Sequence, residues 1–317
     1  MPARHLAIPL VLALLLALAV TLILAAPVAH ARTKVDVGIG DQSAAMFLHP
    51  DFAKLKVRKS RYFVRWDAIR HRDALARVDE WVAIARAHRV RPFVHISTDD
   101  LRHKRAKLPS KRAYQRHVGR LVRHLRKRGV RDFGVWNEAN HKSQPTWRNP
   151  ARAAAYYRLM RRMCRRCTIV GLDVLDQRGV GRYIRRWFRA LPRGLRHRKV
   201  VVGIHNYSDT NRKRSRGTRT IIQATRRQNR RARFWLTETG GVVNFGRSFP
   251  CNPARAASRL GYMFRLARRY DRYVQRLYSY NWFGSNCRGF DAGLTNADGT
   301  LRPGYAVFRG RLRGFTR

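Results

Sequence analysis

Asp132-Phe133-Gly134-Val135-Trp136-Asn137-Glu138-Ala139-Asn140 is followed by a polar segment, 141–147, and then by Asn149-Pro150. The first part, 132–137, is a short apolar run of β character. Asn149-Pro150 pairs an N-cap residue with a proline at the first helical position. Beyond it, Tyr156, Leu159, Met160 and Met163 recur at helical spacing, so one face of that helix is apolar. Strand, long connection, helix: this is one β-α unit, and the rest of the chain repeats it.

Strand-like runs fall at 35–40, 62–66 and 92–97 before it, and at 168–173, 200–206, 233–237 and 277–282 after it, making eight. Between them lie helical patterns, such as Tyr114, Val118, Leu121, Val122 and Leu125, and a second Asn-Pro start at Asn252-Pro253. The long connections, 141–147, 208–219 and 240–251, all follow strands, whereas the turns before strands are short, as at 127–131. Eight such units in a chain of 317 residues predict an α/β fold, a single (β/α)₈ TIM barrel with its functional loops at the strand C-terminal ends. A doubly wound open sheet would also alternate β and α. Gly38-Ile39-Gly40, however, lacks the third glycine of a dinucleotide-binding turn.

Residues 1–31 differ from the remainder. Arg4 and His5 precede an apolar run over 6–26, and Ala29-His30-Ala31 has the small-x-small form of a cleavage site. This reads as a secretory signal, leaving 32–317 as the barrel domain, with an uncleaved membrane anchor as the alternative. The expected location is therefore extracytoplasmic. Four cysteines suit an oxidising compartment. Cys164 and Cys167 lack the second half-site of a metal centre, so the expected bridges are Cys164–Cys167 and Cys251–Cys287.

With 69 Lys and Arg against 18 Asp and Glu, the formal net charge is +51. Such a charge would draw the protein to anionic cell-envelope polymers. A base-composition bias that writes Arg at any tolerated surface position is the competing explanation. The arginines are scattered over every helical segment rather than gathered in a basic tail with interleaved aromatics, so no specific nucleic-acid partner is expected, and the chain is read as a monomer. Glu is scarce. Glu80, Glu138 and Glu238 are the whole complement, and the other 15 acids are Asp.

Glu138 ends the fourth strand. Glu238, in Phe234-Trp235-Leu236-Thr237-Glu238-Thr239-Gly240, ends the seventh. Strands four and seven lie across a barrel mouth from one another, so two carboxylates there can flank one bond. Glycosidic cleavage needs that pairing: one carboxyl protonates the leaving oxygen, the other attacks or activates water. Neither a Gly-x-Ser-x-Gly elbow nor a His-Glu-x-x-His motif is present, and the reading calls for no metal and no cofactor.

Trp136-Asn137-Glu138-Ala139-Asn140 and Leu236-Thr237-Glu238-Thr239-Gly240-Gly241 resemble the acid/base and nucleophile strands of clan A (β/α)₈ retaining glycoside hydrolases, most nearly the family 39 and family 5 types. Many of those enzymes have proline where this chain has Ala139. The resemblance implies Glu138 as general acid/base, Glu238 as nucleophile, and Asn137 as donor to the sugar 2-hydroxyl. It further implies Tyr207 donating to the nucleophile, His205 lining the site, Arg65 keeping the nucleophile ionised, and Trp282 as an aromatic platform beneath the sugar. His95 and His141 are further candidate sugar contacts. The substrate implied is a β-linked poly- or oligosaccharide. A catalytically silent carbohydrate-binding barrel and a basic envelope protein that uses the barrel as scaffold are the rival readings.

Overall fold

Each apolar run hydrogen-bonds in parallel to the next. The strands are β1 (Thr33–Gly40), β2 (Lys59–Arg65), β3 (Arg91–Ser97), β4 (Asp132–Gly134), β5 (Thr168–Leu175), β6 (Val201–His205), β7 (Arg233–Thr239) and β8 (Val274–Tyr280). β8 pairs back onto β1, from Asp36 opposite Arg276 to Gly40 opposite Tyr280, so the sheet closes on itself. Helices α1 (Pro50–Leu55), α2 (Arg72–Ala87), α3 (Lys111–Lys127), α4 (Pro150–Met163), α5 (Val180–Arg189), α6 (Arg216–Gln228), α7 (Pro253–Arg269) and α8 (Pro303–Arg311) follow the strands in turn. This is the expected TIM barrel. It comes from a computed structural model that describes residues 33–316, position 103 excepted. The secretory-signal expectation, on 1–31, lies outside the described residues. Among those residues no helix is long and apolar enough to cross a membrane.

The helix signals act as their chemistry requires. Asn149 and Asn252 each accept a backbone N–H three residues on, from Arg152 and Arg255, ahead of Pro150 and Pro253. Val118, Leu121, Val122 and Leu125 of α3 are fully buried against the barrel, each contributing roughly 1.5–3 kcal/mol relative to exposure.

The segment 208–219 differs from its reading as a long loop. Tyr207–Asn211 forms a short helix there, and α6 begins at Arg216. Two buried acids make this so. Asp176 accepts from the amides of Ser208 and Asp209, and Asp209 accepts from those of Gly217 and Thr218. Both helix starts are thus capped from the side.

Inside the barrel the residues are layered. At the N-terminal end Asp132 accepts from Arg91 and Arg276, and Arg276 lies 3.9 Å over the Trp235 ring. Above this floor Phe93, Val170, Val201, Trp235 and Tyr278 form an apolar plug. Above that again, Arg61, His95, Asp173, His205 and Glu238 form a buried polar layer. Two glycines make room for it. A Cβ on Gly134 would stand 2.1 Å from the His95 ring, and one on Gly203 would stand 2.9 Å from the Asp173 carboxyl.

The cysteines pair as expected, Cys164 with Cys167 and Cys251 with Cys287. The second bridge spans 36 residues and ties the loop after β7 to the loop after β8. Replacing Cys251 and Cys287 by Ser should lower unfolding stability by up to about 4 kcal/mol, the loop-closure entropy for that span. Denaturant titration of the two proteins measures the difference, and thiol titration of the unfolded native protein should find no free thiol.

Candidate active site

Glu138 lies just past the assigned end of β4, which stops at Gly134 rather than at the expected residue 137. The ladder nevertheless continues. Val135 donates to Val170, Asn137 to Ile96 and Ala139 to Asp173, through their backbone amides. Glu138 itself has φ +47°, a left-handed conformation that costs a non-glycine residue energy. Held between two strands in this way, its side chain stands at the mouth of the barrel. Glu238 belongs to β7 and is in register with His205 of β6. An oxygen of Glu138, an oxygen of Glu238 and a ring nitrogen of His205 all lie within 4.8 Å of one another.

The two carboxyls have different neighbours. Glu238 accepts from Arg61 Nη1 at 2.6 Å and from the Tyr207 hydroxyl at 3.0 Å. Glu138 meets His205 Nδ1 at 3.0 Å through Oε1, while its Oε2 is 3.8 Å from His141 and faces the half-exposed side of the site. Asn137 accepts from Arg61 Nη2 through its Oδ1, which leaves its amide NH₂ free to donate.

Behind them runs a buried chain. Asp173 Oδ2 lies 3.1 Å from His95 Nδ1 and 3.2 Å from His205 Nε2, and Thr237 donates to Oδ1. Burial alone would lower the pKa of His205, but the charges of Asp173 and Glu238 and hydrogen bonds to Asp173 and Glu138 raise it to about 10. His95 goes the other way. Burial dominates there and holds it neutral, with its pKa down at about 3. Asp173 would be raised by burial, yet His205, His95 and Arg61 hold it at about 2. His205, one ring nitrogen on Glu138 and the other on Asp173, thus links the carboxyl at the mouth to the buried layer beneath it.

Two expectations are corrected. Arg65 is not beside Glu238. It forms a two-point pair with Asp67 outside the barrel mouth, and the guanidinium at Glu238 is that of Arg61, four residues earlier and 1% exposed. Trp282 is no platform. Its backbone N–H donates to Asp41, which turns the indole into the shell, packed edge-on against His49, Phe52 of α1 and Tyr305 of α8 and fully buried. Tyr280, two residues earlier, is half-exposed beside the carboxylates, and burial followed by the charges of Glu238 and Asp41 raises its pKa. His95, a candidate sugar contact, is fully buried under the site, whereas His141 borders Glu138. Asn137 meets Arg61, His205 meets Glu138, and Tyr207 meets Glu238, so these three side chains surround the two carboxyls. Arg61 and Asp173 were missed. Alternation along β2 would have nominated Arg61, alternation along β8 puts Tyr280 on the side of the site, and the only sequence mark on Asp173 is that it ends the run 168–173.

No protein-family model and no curated protein sequence matches this chain. Solved structures do. A GH10 endoxylanase from a sugarcane soil metagenome superposes with TM-score 0.59 at 13% identity, over 87% of this chain and 96% of that one. GH5_18 from Streptomyces cattleya, in complex with GlcNAc, gives 0.61 at 14%, over 89% and 80%. Xylanase 10B from Thermotoga maritima gives 0.58 at 12%, over 88% and 95%. The barrel is thus similar to those of GH10, GH5 and other clan A glycosidases, a likeness of fold that singles out neither family 39 nor family 5.

Proposed function

We propose that this chain is a retaining glycoside hydrolase, acting outside the cytoplasm on the β-linkages of a poly- or oligosaccharide, with residues 32–317 as its catalytic domain. The observation that carries this is the facing pair of carboxyls, Glu138 and Glu238, with oxygens within 4.8 Å at the barrel mouth. That approach is nearer to the roughly 5–5.5 Å between carboxyls in double displacement than to the roughly 6.5–9.5 Å of single displacement, and it supports the retaining reading.

In this reading Glu238 is the nucleophile. The Arg61 guanidinium donates to its Oε2 and the Tyr207 phenol to its Oε1, which suits an anion and fixes the orientation of the carboxylate. As the glycosyl ester forms, the glycosidic C–O bond breaks and Glu138 passes its proton to the leaving oxygen. Glu138 then takes a proton from water, which attacks the anomeric carbon and frees Glu238. Asn137, its Oδ1 held by Arg61, presents its NH₂ to the sugar 2-oxygen. His205 holds Glu138 Oε1 and leaves Oε2 to carry the transferable proton.

A second partner rests on a separate observation. Arg158, Arg161, Arg162 and Arg165 run down one face of α4 and off its end, and with Arg198 they line a cavity of about 800 Å³ whose lining includes no acid. We propose that this face meets anionic envelope polymers.

Glu238→Ala should abolish turnover of an aryl glycoside, with azide restoring part of it from the opposite face. Glu138→Ala should spare substrates with good leaving groups in the first step and give, with azide, a glycosyl azide of retained configuration. Full activity in Glu238→Ala would reject the assignment. The pH test uses Asp173→Asn. In the native protein, protonated His205 contributes stability that is complete below about pH 6.5 and is lost as pH rises through about 10. The gap in melting temperature between native protein and Asp173→Asn should therefore be widest below about pH 6.5 and narrow toward pH 10. Retention on a sulfated-polysaccharide matrix should fall steeply with salt and weaken when Arg158, Arg161 and Arg162 become Gln.

A further inference from the structure

Among the described residues the exposed large hydrophobic side chains are Leu48, Leu101, Phe245, Phe290 and Leu301. Both aromatics among them face each other on one structure. Phe245 and Phe290 are directly opposite in a two-stranded antiparallel pair, Asn244–Phe245 against Phe290–Asp291, that joins the loops after β7 and β8. Phe245 is 54% exposed and Phe290 is 38% exposed, with ring centroids 5.7 Å apart.

This pair is built to stay put. Asp291, next to Phe290, is buried. It accepts from the amides of Ser285, Cys287 and Gly293 and from both terminal nitrogens of Arg302. Val243 donates to Asp291 O, Asn244 to Gly289 O, and Cys251–Cys287 closes the two loops on each other. Rings held in water by so many constraints lose little entropy when something covers them.

The pair also leads to the carboxylates. Phe290 packs edge-to-face on Tyr207 at 5.1 Å and against Tyr280 at 6.4 Å, and Tyr207 donates to Glu238. The order outward is Glu238, Tyr207, Phe290, Phe245. A continuous aromatic wall that begins at a candidate nucleophile and ends exposed suits a ligand with an apolar face and a polar edge, which is the form of a pyranose ring.

We propose that Phe245 and Phe290 form a sugar-stacking subsite, held rigid by the Cys251–Cys287 bridge, that binds the unit of an oligosaccharide next to the one at Glu238. The role assigned to the neighbouring site rests on the glycoside hydrolase reading; the subsite makes the ligand a chain of sugars rather than a single unit.

Calorimetric titration of the native protein with xylo-, cello- and manno-oligosaccharides of increasing length tests it. Affinity for at least one series should rise with length, and Phe245→Ala should weaken the longer members about three- to tenfold. Phe245→Tyr should preserve binding, and Phe245→Leu, which keeps apolar bulk without a ring and guards against misfolding of the alanine variant, should not. Equal binding by native protein and Phe245→Leu, or no binding of any oligosaccharide by the native protein, overturns the subsite. Aryl-glycoside turnover reports separately. A protein that turns over nothing yet loses oligosaccharide binding with Phe245 keeps the subsite and ends the hydrolase reading.

Discussion

A guanidinium sealed inside the barrel organises everything around it. Arg61 is 1% exposed, and a buried charge without partners costs several kcal/mol. Its partners come from three other strands: Glu238 of β7, Asn137 beyond β4, and His95 of β3 at 3.4 Å. Satisfying one cation thus fixes the aim of the carboxylate, of the amide beside the second carboxylate, and of the imidazole beneath both. Asp173 continues the same logic within that layer, holding His95 and His205. The geometry at the mouth is set from inside the barrel, by the need to leave no charge unpaired.

Acid placement throughout the chain obeys a similar economy. Of 18 acids, Asp41, Asp67, Asp132, Asp173, Asp176, Asp209, Asp291 and Glu238 are buried. Asp41, Asp176 and Asp209 serve backbone amides at loop and helix starts, and Asp132 and Asp291 serve arginines. Carboxylates persist where a neutral or cationic residue could not do the work, while the surface is given over to Arg. The net charge of +51 therefore reflects 69 Lys and Arg spread along the chain against 18 acids, eight of them buried, more than a single basic domain.

The barrel was legible because short apolar runs and Asn-Pro helix starts are local signals, and all eight runs became strands. The two glutamates were legible because Glu is rare and each ends such a run. Arg61 and Arg65 defeated the same method. Both lie on one parity of β2, so alternation puts them on one face, and only depth along the strand separates a buried partner of Glu238 from a surface partner of Asp67. Depth depends on how the tilted strands stagger in the closed sheet, which no local pattern records. Trp282 failed for a related reason. The chain leaves the ladder at Tyr280, and Asp41, some 240 residues earlier, decides where the indole goes.

The floor of the barrel has a consequence for traffic. Arg276, Asp132 and Arg91 close the N-terminal end, and Phe93, Trp235 and Tyr278 fill the space above. The interior is a cul-de-sac. Whatever reaches Glu138 and Glu238 arrives by the mouth and departs by it, past a wall that the Cys251–Cys287 bridge keeps from swinging aside. Arrivals and departures share one doorway, so a second molecule can take that place only after the first has left by the way it came.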